Sequence, residues 1–201
     1  MAAKCAEKID LQIIGKSRCY PSHDLIVTFA KAIIEGNELY FRMIEKKSFS
    51  DYHLNIPEAM NLCDTKVNHI REWKSIIYSD NMKQNLFIIL KDIKRQWYHK
   101  SLVLDKTFLF VVLIAEGRSI LLIYSNSPST NNLPPISHNS STDSTITLID
   151  SHSHTMNGSL VVQCDEADVF SLSLWIYNKL FRQIYLTNPT CFELSLFEIK
   201  N

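Results

Sequence analysis

The order of patterns along the chain predicts an α+β protein, with an N-terminal helical layer packed on a mostly antiparallel sheet. Three observations predict it. The first half carries apolar residues at helical spacing, as in Leu25, Ile26, Phe29, Ile33 and Ile34. The second half carries short apolar and β-branched runs broken by turn chemistry. One further helical segment lies between the last two of those runs. With 201 residues, 46% of them hydrophobic and 21% charged, a single domain with an ample core is expected over residues 1–201.

Taken in order, Ile9, Leu11, Ile13 and Ile14 suit a short strand or an extended approach to the first helix. Gly15 to Arg18 reads as a turn leading to Cys19. Tyr20-Pro21-Ser22-His23-Asp24 supplies helix-start chemistry, with Pro at an early position and Ser or Asp as the cap. The helix that follows is expected to end at Gly36-Asn37. A second is expected over 38–47, with Leu39, Tyr40, Met43 and Ile44 inward. Residues 48–55 read as a polar connection and 57–62 as a short helix. The 67–78 segment suits either a strand or a helix. Residues 83–98 read as a helix with the stripe Leu86, Phe87, Leu90, Ile93, Trp97. Lys91-Asp92-Ile93-Lys94-Arg95 reads as a solvated face of it, and Trp73, Trp97 and Trp175 as core aromatics.

Strands are expected over 108–115 and 119–125, joined by the short loop Glu116-Gly117-Arg118. The Ser-, Thr-, Asn- and Pro-rich stretch at about 126–144 reads as a long flexible loop. A strand through Asp150, a polar turn and a strand over 159–163 follow. Residues 168–180 read as an amphipathic helix, and 192–199 as the last strand.

Lys plus Arg and Asp plus Glu number 21 each, for a net charge of zero. That argues against nucleic-acid binding by bulk charge. The five cysteines are odd in number, spread out and free of C-x-x-C pairs. They fit a reducing, intracellular compartment, cytoplasmic or also nuclear, better than a disulfide framework. No signal peptide, membrane span, cofactor motif or metal-ligand spacing is evident. Cys19, His152 and His154 lack a fourth zinc ligand. The expected protein is a monomer with no membrane, nucleic-acid, metal or cofactor partner.

The chemistry concentrates in the stretch from Thr147 to Val162, which reads as strand, polar turn, strand. Asp150 and His152 are two apart, so an extended backbone puts them on one side. A carboxylate beside an imidazole fixes its tautomer, as a general base requires. The same residue types also make ordinary solvated turns. Cys19 precedes a helix, where the dipole and unpaired N–H groups favour a thiolate and can help hold an oxyanion. A buried structural cysteine is the plainer alternative. His154 is a weaker alternative to His152, and His23 reads as a surface residue.

A thiol leading an early helix, with Asp-x-His on a late strand, resembles the layout of papain-like cysteine hydrolases. The segment order resembles more specifically the deubiquitinase domain of herpesvirus large tegument proteins. It also resembles related cysteine-protease-like domains, OTU-like in kind, of viruses and mobile elements. Ile14-Gly15-Lys16-Ser17-Arg18-Cys19 is similar to that family's nucleophile turn. Ile33 to Tyr40 is similar to its Gly-Asp-x-Leu-Tyr step, and His53 to Glu58 to its Leu-x-x-x-Glu. Phe110 to Ile114 with Ser119-Ile120-Leu121 resembles the strand pair before the active histidine. Ile149-Asp150-Ser151-His152 and then Gly158 to Val162 resemble its Asp-Ser-His and the strand after it.

The resemblance implies a papain-like fold and isopeptide hydrolysis after the C-terminal glycine of ubiquitin or a ubiquitin-like protein. It implies Cys19 as nucleophile, His152 as base and later acid, and Asp150 as the carboxylate orienting His152. Two positions depart from the family pattern. Arg18 stands where the family has Gln directly before the nucleophile. The segment upstream of Cys19 is also shorter, leaving Gln12 as the candidate oxyanion donor, at a spacing that is not the family's. A missing donor there costs about a hundredfold or more in rate. The alternative expectation is therefore a catalytically weak or inactive relative that binds ubiquitin or another protein.

Overall fold

A computed structural model describes residues 23–45, 70–79, 81–104, 108–125, 144–154, 158–181 and 191–199. Its elements are α1 (His23–Glu45), β1 (Ile70–Tyr78), α2 (Met82–Leu104), β2 (Phe108–Ala115) and β3 (Arg118–Ser125). After these come β4 (Thr145–His154), β5 (Gly158–Asp165), a 3-10 turn (Glu166–Asp168), α3 (Val169–Trp175) and β6 (Phe192–Ile199). A π-helical stretch, Ile176–Phe181, prolongs α3. The six strands form one sheet in the order β1-β6-β2-β3-β4-β5, with every neighbouring pair antiparallel. The fold is α+β, as the sequence predicts. No helix among the described residues is long and apolar enough to cross a membrane. The short helix expected at 57–62 and almost all of the loop expected at 126–144 lie outside the described residues.

Both faces of the sheet are covered. Alternation along β3 sends Ile120, Leu122 and Tyr124 to one side and Leu121 and Ile123 to the other. The first side packs on Leu86, Leu90 and Trp97 of α2 and Leu172 and Ile176 of the α3 segment. The second packs on Phe29 and Ala32 of α1. Trp97 is fully in the core and Trp175 is packed against it.

The expected break at Gly36-Asn37 is absent, and α1 is one helix of 23 residues. A mid-helix Gly costs only about 1 kcal/mol against Ala. The buried positions Phe29, Ala32 and Met43 keep one helical register across it, so packing overrides the local signal. Asp24 in the first turn and Arg42 in the last turn complement the helix dipole. From Ile70 on, the ambiguous segment is strand β1, because it finds a partner in β6 from Ile70 opposite Ile199 to Tyr78 opposite Phe192; residues 67–69 lie outside the described residues. The Tyr78 and Phe192 rings stack at 5.2 Å. Asn81 caps α2, its Oδ1 accepting from the Gln84 backbone N–H at 3.4 Å.

The solvated face expected at Lys91 to Arg95 holds only in part. Arg95 is exposed and pairs with Asp92 at 3.3 Å. Lys94 is buried and ion-paired with Glu166 of the 3-10 turn after β5. Burial pushes the Lys94 ammonium down to about 8. Between that value and the ordinary lysine value of about 10.4, the unfolded chain binds more protons at this site than the folded one, so stability rises with pH. Lys94→Met is expected to remove this rise. Its cost at neutral pH is expected to stay within about 1 kcal/mol, because the Glu166 side chain is partly exposed and can be hydrated. Urea midpoints of both proteins from pH 7 to 10 check it.

Arg118 does not belong to the hairpin loop as expected. It is the first residue of β3 and pairs with Ala115. The loop is Glu116-Gly117 alone, with φ of 50° and 72°. Two positive φ values in a two-residue loop are what a type I′ hairpin turn needs, and they match the twist of β2 and β3. A Cβ added at Gly117 would meet nothing within 4 Å. The cost of Gly117→Ala is therefore backbone strain alone, about 1–2 kcal/mol. For a chain this size that lowers Tm by about 2–8 °C in a thermal scan.

Candidate functional site

Leu148 and Leu160 face the core beneath α2 and α3. Asp150 follows Leu148 in phase and lies directly opposite Leu160, so it points to that same face. Arg118 shares the phase of Ile120 and lies opposite Ala115, which also faces that core. The sheet register thus brings a carboxylate and a guanidinium, 32 residues apart, to one end of one face. Asp150 is 0% exposed and the Arg118 side chain 9%.

Beyond Asp150 the β4–β5 ladder is irregular. Asp150 pairs with Leu160, and the next pair is His154 with Gly158. Three residues of β4 (Ser151, His152 and Ser153) therefore oppose Ser159 alone. Such a bulge re-aims the side chains it contains. Two contacts pin it. The Ser159 hydroxyl donates to the Ser151 carbonyl at 3.1 Å. The His152 backbone N–H donates to Asp150 Oδ1 at 2.9 Å, a carboxylate bonding the chain two residues on.

The same Oδ1 lies 2.6 Å from His152 Nδ1, and Oδ2 accepts from Arg118 Nη1 at 3.2 Å. Burial pushes the Asp150 carboxyl up. The ring and backbone hydrogen bonds of His152, the charge on His152 and the charge on Arg118 outweigh that, holding it below its ordinary value. Asp150 is accordingly a carboxylate and can only accept. Nδ1 then carries the ring hydrogen in the neutral imidazole, and Nε2 keeps the lone pair. The His152 side chain is 35% exposed, so the ring lies at the border between core and surroundings. The three groups can hold an imidazole in one tautomer and one orientation while leaving it within reach of a reacting proton.

Of the sequence-predicted residues, the structure joins Asp150 and His152. It does so through a bulge pinned by the carboxylate, not through plain strand alternation. Cys19, Gln12 and Arg18 lie outside the described residues. His23 is exposed at the start of α1, and His154 ends β4 opposite Gly158. α1, four residues after Cys19, covers the sheet face opposite the one Asp150 joins. At the bulge β4 departs from regular pairing with β5, while the His152 ring stays against Asp150.

No family model, curated protein or solved structure matches this chain. The site therefore rests on its own geometry. Sequence reasoning missed Arg118. Its signal was a charged residue in phase with the buried Ile120, Leu122 and Tyr124, where a guanidinium needs a buried partner.

Proposed function

We propose that the chain is a cysteine-dependent isopeptidase on a papain-like scaffold, acting at the C-terminus of ubiquitin or a ubiquitin-like protein. The single observation that carries the acid–base part is the buried Asp150 carboxylate bonded to Nδ1 of a partly exposed His152. The nucleophile and the substrate class rest on the family resemblance of the Cys19 turn and of Asp150-Ser151-His152.

In this reading His152 Nε2 takes the Cys19 thiol proton, and the thiolate attacks the carbonyl carbon of the terminal glycine. Backbone N–H groups at the start of the helix, with Gln12, stabilise the oxyanion. Collapse of the tetrahedral intermediate breaks the C–N bond, and the imidazolium gives its proton to the departing lysine amine. His152 then draws a proton from water, hydroxide attacks the thioester carbonyl, and the C–S bond breaks as that proton returns to the Cys19 sulfur; the glycine leaves as its carboxylic acid, which loses its proton to water. Asp150 holds the ring throughout and stabilises its charged form. The reading places the protein inside the cell as a monomer working on conjugates, with no metal or cofactor.

A ubiquitin probe with a C-terminal electrophile tests it. Wild type is expected to form a covalent adduct and Cys19→Ala none. Labelling that persists in Cys19→Ala, or no labelling of wild type, ends the hydrolase reading. Arg18 in place of the family's Gln favours a second reading, an inactive relative that grips ubiquitin. That reading expects ubiquitin binding that survives Cys19→Ala, with no adduct and no cleavage.

A further inference from the structure

We infer that Arg118 is the positioning residue of this pair: from the neighbouring strand it clamps Oδ2 of Asp150, so that Oδ1 faces the His152 ring and backbone together. The inference deepens the acid–base reading of His152 and rests on it for its consequence in catalysis. A carboxylate turns about its Cβ–Cγ bond. Held at one oxygen, it can swing out of the plane its partner needs. Here Oδ1 is engaged by the β4 bulge at 2.6 and 2.9 Å, and Oδ2 by β3 at 3.2 Å. Two different strands therefore fix the carboxylate plane.

The alternatives for Arg118 are weaker. At its phase the fold accepts apolar side chains, as Ile120 and Leu122 are wholly buried. An apolar residue there avoids the desolvation of a guanidinium, so packing alone does not call for arginine. Solvation does not explain it either, because its side chain is almost fully covered. Its backbone is set by the tight Glu116-Gly117 turn, which delivers the side chain from a rigid corner. What remains is its contact with Asp150.

Arg118→Gln and Arg118→Lys test this, with two readouts. Amide exchange of His152 reports the 2.9 Å bond to Asp150 and needs no activity. The rate of labelling by the electrophilic ubiquitin probe reports the consequence for the thiol. In Arg118→Gln the His152 amide is expected to exchange at least tenfold faster, while amides in the middle of β2 and β3 keep their protection. Labelling slows by at least tenfold. Arg118→Lys, which keeps the charge but not the planar fork, is expected to fall between wild type and Arg118→Gln in both readouts. Unchanged His152 exchange in the variants overturns the inference. So does an equal rise throughout the sheet, which marks a merely structural role. If Arg118→Gln does not fold, Arg118→Lys decides by the same criterion. If wild type is not labelled, the hydrolase reading fails while the exchange data still decide the role of Arg118.

Discussion

Asp150→Asn is expected to destabilise the protein by about 3–5 kcal/mol, the usual cost of removing one partner from a buried ion pair. The loss comes chiefly from what is left behind. Arg118 keeps its charge in a nearly solvent-free position. The new amide must choose which partner to disappoint. With its oxygen toward His152, its NH₂ group faces the guanidinium, donor against donor. With the amide turned, Nδ1 and the His152 backbone N–H lose their acceptor, and the bulge loses its pin. For a chain of this length the expected fall in Tm is about 6–20 °C.

The pH dependence separates this account from general disruption. The folded-state pKa of Asp150 lies below its ordinary value. The unfolded chain therefore takes up the proton first as pH falls. The stabilisation by Asp150 is fully present above the unfolded carboxylate value of about 3.9 and fades below it, toward the folded value. The gap between wild type and Asp150→Asn is thus expected to be widest near neutrality and to narrow below about pH 4. Urea midpoints of the two proteins at pH 7, 5, 4 and 3 measure it. A gap that stays constant into the acid range removes the ionised carboxylate from the explanation.

What the sequence disclosed follows the range of each interaction. Asp150 and His152 are two residues apart, and their meeting is local enough to be read from spacing. The manner of their meeting is not. The bulge depends on how many residues of β5 oppose β4, and nothing within Asp150-Ser151-His152 states that register. Arg118 is 32 residues from Asp150, and the pair exists only because β3 and β4 are neighbours in a particular alignment. Lys94 was misread for the same reason. It flanks the apolar stripe, one turn from both Leu90 and Trp97, and the partner that it meets there, Glu166, comes from the 3-10 turn after β5. α1 is the opposite case, where a local signal at Gly36 was plain and packing overruled it. The coarse class was legible because periods of 2 and 3.6 residues survive such errors.

His152→Gln separates chemistry from architecture. Gln has no group that accepts a thiol proton near neutral pH, so general-base assistance is lost outright. Such assistance is worth about 10²–10⁴ in rate, and labelling by the ubiquitin probe is expected to slow by that factor. Stability is expected to fall by only about 1–3 kcal/mol, the cost of one hydrogen bond lost to a buried acceptor. Arg118 still compensates the Asp150 carboxylate, and the backbone bond to Oδ1 does not depend on the side chain. Asp150→Asn and His152→Gln should therefore differ in kind, the first losing stability and rate together, the second losing mainly rate. His154→Gln serves as the control, because the described contacts of Asp150, Arg118 and the bulge are made by other residues. Equal slowing in His152→Gln and His154→Gln would mean that the Asp150 contact does not select the working imidazole. Wild-type labelling in His152→Gln would leave the 2.6 Å contact as a device for holding β4 alone.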